Sequence, residues 1–96
     1  SPTVFDVSLD PGELAQHFIQ MKLYLRRLEF GLPEQTWMEV YEYFKRTGVS
    51  DYMILYLLQN NIFYKEECCR NLSVLFTKME GADSMRARLF AGLAEK

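Results

Sequence analysis

Several residue types are scarce in this chain of 96 residues, and each scarcity removes a class of function. Histidine occurs once. A serine or cysteine hydrolase needs a histidine as base, and a zinc site needs it beside further ligands. His17 instead stands between Gln16 and Phe18 at the edge of an apolar stripe, where it reads as an ordinary side chain. Cysteine occurs twice, at adjacent positions. Cys68 and Cys69 do not reach disulfide geometry with each other, and they lack the Cys-x-x-Cys spacing of a metal or redox motif. On a helix they point about 100° apart. Cys68 then falls on the apolar face as a small core residue, with Cys69 at its edge as a candidate reactive thiol that no local feature demands. The five glycines are scattered and none belongs to a phosphate-binding loop. The longest apolar run, Tyr52 to Leu58, has seven residues, far short of the ~20 a bilayer span requires. No catalytic, metal or cofactor motif is present.

Charge of one sign is equally lacking. Residues 1–30 carry three basic and four acidic groups, residues 31–60 two and four, and residues 61–96 six and five, for a net −2. No segment is a strongly basic module of the kind that grips phosphates. Free thiols favour a reducing, intracellular compartment, cytoplasmic or nuclear. No signal or transit peptide is visible, and the start at Ser1-Pro2 without methionine suggests a processed chain or, as the favoured expectation, a domain excised from something longer. Asn71-Leu72-Ser73 matches the glycosylation tripeptide but falls within a helical pattern beside those thiols, as a chance match would.

What the chain does have is apolar content of 49% and aromatic content of 15%, enough to build one core in a domain of this size. Its punctuation is helical. Asp10-Pro11-Gly12-Glu13 combines a capping acid, a proline suited to the first turn and a capping-box glutamate. Leu14, Phe18, Met21, Leu25 and Leu28 then recur at three- and four-residue steps up to a stop at Gly31. Pro33 opens a second helix, with Trp37, Val40, Tyr41 and Phe44 as its apolar face and Gly48 as its stop. Ser50 caps a third. A fourth begins between Phe63 and Lys65, carries Cys68, Leu72, Leu75, Phe76 and Met79 on one face, and stops at Gly81. Asp83 or Ser84 caps a fifth, striped by Met85, Leu89, Phe90 and Leu93.

The stretch Asp51 to Tyr64 admits a second reading, a β-hairpin turning at Asn60-Asn61. Methionine and leucine dominate its apolar run and only Ile54 is β-branched, which favours helix. Such a helix, apolar almost all round, is expected to be covered on most sides and to form the centre. Tyr56-Leu57 resembles the start of the LisH dimerisation motif. Asn61 replaces that family's turn glycine, and Lys65-Glu66 its Thr-Ala pair. The expected architecture is all-α: a compact bundle of about five helices over residues 10–96, an extended segment over residues 1–9, and a central buried helix near 51–60.

With no chemistry in view, recognition surface is what remains. Met38 and Tyr43 are expected on opposite flanks of the second helix's buried stripe, and Ile62, Phe63 and Tyr64 at a helix junction where chain reversal exposes apolar groups. Exposed methionines and aromatics near a groove suit a partner site. The expected function is therefore non-enzymatic: an adaptor or regulatory domain docking a peptide or amphipathic helix between its own helices through Met38, Tyr43, Ile62, Phe63 and Tyr64. The alternatives are homodimerisation and, with less support, nucleic-acid binding by Lys22, Arg26, Arg27, Arg86 and Arg88. An enzyme fragment completed by other chains has no positive feature behind it.

Overall fold

In a computed structural model, which describes residues 11–31, 33–61 and 64–95, the chain forms five α-helices. They are α1 (Pro11–Glu29), α2 (Glu34–Thr47), α3 (Asp51–Asn61), α4 (Lys65–Glu80) and α5 (Met85–Ala94). No strand occurs among the described residues, so the run after Asp51 is helix and not hairpin. The extended segment expected over residues 1–9 lies outside the described residues, as does Asp10.

The ends of the helices follow from the punctuation. Ser50 Oγ accepts the Met53 amide at 3.3 Å and Ser84 Oγ accepts the Ala87 amide at 3.2 Å, each meeting a donor that the helix leaves open. Gly48 ends α2 in the left-handed region at φ 66°, and the amides of both Gly48 and Val49 bond to the Phe44 carbonyl. A side chain at that φ would strain, which is why glycine closes the turn.

Packing centres on α4, which lies against α1, α2 and α5. Its residues Cys68, Cys69, Leu72, Leu75 and Phe76 are all buried. The ring of Phe76 stands at the middle, with centroids 6.2 Å from Phe44 of α2 and 5.8 Å from Phe90 of α5. The Arg86 guanidinium covers it at 4.2 Å. Helix α3 contributes Ile54, Leu57 and Leu58 to the core, but Tyr52 is 84% and Tyr56 57% exposed. These tyrosines lie four apart on one face, so α3 is sided rather than wrapped, and the pillar of the bundle is α4. An apolar count treated tyrosine as core, yet its hydroxyl tolerates water at little cost.

Buried polar groups tie α1 to α4 reciprocally. The Glu29 side chain is fully buried at the end of α1, and its Oε1 accepts the Tyr64 amide at 3.1 Å just before α4. In return, the Asn71 amide of α4 donates to the Leu28 carbonyl in the last turn of α1. A carboxylate at a helix start and a donor at a helix end both complement the helix dipole. A second knot joins the far ends. Arg86 Nε donates to Asp51 Oδ1 at 2.6 Å, and Glu80 accepts from the Tyr41 and Ser84 hydroxyls at 3.0 and 2.9 Å. Among the described residues, no helix is long and apolar enough to cross a membrane.

Candidate protein-docking site

Helices α2 and α4 meet through the rings of Phe44 and Phe76, and beside that contact lies a half-open groove of about 390 Å³. Its floor and walls are Trp37 and Met38 of α2 with Leu75 and Met79 of α4. Lys78 closes one rim by donating to both carboxylate oxygens of Glu34, at 2.8 and 2.7 Å. The helical repeat explains the set: Glu34 and Met38 lie four apart on α2, as do Leu75 and Met79 on α4. Met38 is 51% exposed, whereas Trp37 is buried and its indole Nε1 has no hydrogen-bond partner.

The structure separates the residues expected to form one site. Met38 lines the groove. Tyr43 does not reach a surface: it is buried, which corrects its expected place on an exposed flank. The cause is α1, which packs on that side of α2. His17 Nδ1 lies 2.8 Å from the Tyr43 hydroxyl, and the Tyr24 ring centroid lies 4.9 Å from that of Tyr43. Burial also raises the Tyr43 pKa. Tyr41, expected inward, is only half-buried and bonds Glu80. Tyr64 is exposed, but it precedes α4. Fifteen residues of helix, ~22 Å of axis, separate it from Met79. Ile62 and Phe63 lie outside the described residues.

Sequence reasoning missed Leu75, Met79, Glu34 and Lys78 as groove residues. Leu75 and Met79 were assigned to the core stripe of α4, and spacing alone does not reveal where that stripe emerges from under α2. The one available signal was a methionine at each edge, Met38 and Met79, since flexible thioethers suit surfaces that repack.

Among the described residues, no group of three or more His, Cys, Asp and Glu side chains is placed to hold a metal. Both cysteines are buried and free. Cys69, placed by its spacing at the edge of the apolar face, is covered, and burial pushes both thiols above their ordinary pKa. Asn71 is buried with its amide bonded to Leu28, so the tripeptide it begins is closed to glycosylation in the folded chain. Four of the five cations considered for nucleic acid face carboxylates. Arg27 lies 2.8 Å from Glu39, Arg86 2.6 Å from Asp51, Arg88 3.7 Å from Asp83 and Arg26 4.0 Å from Glu29. No known protein family, curated protein or solved structure matches the chain.

Proposed function

We propose that this is a non-enzymatic adaptor or regulatory domain that docks an amphipathic helix or peptide of another protein in the α2/α4 groove. The observation that carries the reading is Met38, half exposed on a wall whose other members, Trp37, Leu75 and Met79, are apolar. A helix seats in such a groove by inserting apolar side chains at three- and four-residue spacing. Methionines adapt to the inserted shape, and a tryptophan at the floor is the residue type that dominates binding energy in protein interfaces. The Glu34–Lys78 pair sets a polar rim on one side and fixes the orientation of the guest.

The test is selection of helical peptides from a display library against the wild-type chain, followed by binding to Met38→Glu. Placing a carboxylate in the apolar wall is expected to weaken the selected peptides at least tenfold, ~1.4 kcal/mol, while leaving the melting temperature unchanged because Met38 is outside the core. Peptides that bind the variant as tightly as the wild type would place the docking surface elsewhere.

A further inference from the structure

A second apolar surface lies away from the groove, on the outer faces of α1 and α3. Ile19 and Leu23, four apart on α1, are 49% and 53% exposed, and Tyr52 and Tyr56 stand on α3 at the same spacing. Between α1 and α3 runs a shallow channel of about 390 Å³ lined by Phe18 and Lys22 of α1 and Tyr56, Leu57 and Asn60 of α3, so Tyr56 borders it directly and Lys22 lies beside the Ile19–Leu23 ridge. We infer that this surface is a twofold interface between two copies of the chain, with the α1 ridge of one copy lying against the α3 ridge of the other.

Charge selects the occupant. The ionic side chains of α1 beside its ridge are cations, Lys22, Arg26 (4.0 Å from the buried Glu29) and Arg27 (paired with Glu39 of α2), and the α3 ridge has aromatic rings and no charge of its own. Of the acids on these helices, Asp51 is bonded to Arg86, Glu29 is buried, and Glu13 lies in the first turn of α1. Stacking α1 on α1 would oppose like charges. Crossing α1 onto α3 brings Lys22 and Arg26 over the partner's tyrosine rings, the arrangement that cations and aromatic faces favour. A twofold axis makes that contact twice, because each copy supplies both halves. Arg26 already rests over the Phe30 ring of its own helix at 5.7 Å, so its guanidinium is disposed toward aromatic faces on this side.

The two tyrosines supply about a third of the area a stable interface needs on each partner, and the rest falls to their neighbours. An aromatic side chain offers about 200 Å², so Tyr52 and Tyr56 at their exposures leave roughly 280 Å² bare. Ile19 and Leu23 enlarge this apolar centre. A stable interface buries about 800 Å² per partner, of which the rim is polar. Lys22, Gln20, Asn60 and Arg26 are placed to supply that rim.

The test is sedimentation equilibrium of the 96-residue chain from about 1 to 500 µM, a range that spans weak to moderate dimers. The wild type is expected to approach twice the monomer mass. Leu23→Glu is expected to raise the dissociation constant at least tenfold, with its circular dichroism and melting curve at low concentration unchanged. Tyr52→Lys is expected to do the same. A mixture of the two variants is expected to recover a heterodimer, since the new carboxylate on α1 then meets the new ammonium on α3. A monomer throughout the range would overturn the inference, and so would a dimer that neither variant weakens. Recovery absent from the mixture would overturn the α1-on-α3 arrangement.

Discussion

Replacing Phe76 by leucine tests whether α4 is the pillar of the bundle. The Phe76 side chain is fully buried and its ring meets three others, with centroids 6.2 Å from Phe44, 5.8 Å from Phe90 and 6.2 Å from Tyr41, the last edge-on. Each such pair contributes about 0.5–1.5 kcal/mol beyond area burial. The Arg86 guanidinium at 4.2 Å adds a cation–π contact of about 1 kcal/mol. Leucine keeps most of the hydrophobic transfer energy but forfeits these ring contacts, and the neighbours close up only in part. The expected loss is ~2–3 kcal/mol, a large share of the 5–15 kcal/mol typical of a domain. Urea unfolding followed by circular dichroism reads it directly. With a slope near 1–2 kcal/mol per M, the midpoint should fall by ~1–3 M at unchanged slope. Pairing Phe76→Leu with Arg86→Met in a double-mutant cycle should return a coupling near 1 kcal/mol. A loss below ~0.5 kcal/mol, the size expected of surface substitutions, would refute the argument that α4 organises the core.

Two further outcomes follow from the buried polar and sulfur groups. Glu29→Ala removes the acceptor of the Tyr64 amide and should cost ~2–3 kcal/mol in the same urea assay, whereas Glu29→Gln keeps an oxygen for that amide and should cost less than ~1 kcal/mol. An equal cost for both would mean that the Tyr64 contact is not what matters. Burial raises the Cys68 thiol in the folded chain, so above the unfolded pKa of about 8.5 the unfolded state sheds its proton first. The contribution is fully present below that pH, and stability should fall above it by up to ~1.4 kcal/mol per pH unit. Cys68→Ala should flatten this slope, and an unchanged slope would assign it to other groups.

The helices were legible because their punctuation is local. Pro11, Ser50, Ser84, Gly48 and Gly81 act within one turn of themselves, and each stands where the pattern placed it or one residue away. The interior of the bundle was less legible because it depends on which helix lies on which. Tyr43 and Tyr41 flank the stripe of α2 almost symmetrically, and only the approach of α1 with His17 and Tyr24 decides that Tyr43 is the one buried. The same holds for α3, whose run of apolar residues suggested a wrapped helix until the exposed pair Tyr52 and Tyr56 showed which side faces water. Of the candidate site, Met38 was readable as a residue at the edge of a stripe. Its companions Leu75 and Met79 were not, since a groove is a property of two helices and each spacing pattern describes one.

The groove reading rests on Trp37, the only tryptophan of the chain, lying at the groove floor with Met38 and Met79 beside it. Its fluorescence during titration with a selected helical peptide is the most direct measurement. The account predicts a saturable shift in emission at one peptide per chain, abolished at the same concentrations in Met38→Glu. Binding seen by calorimetry with the emission of Trp37 unmoved would contradict it.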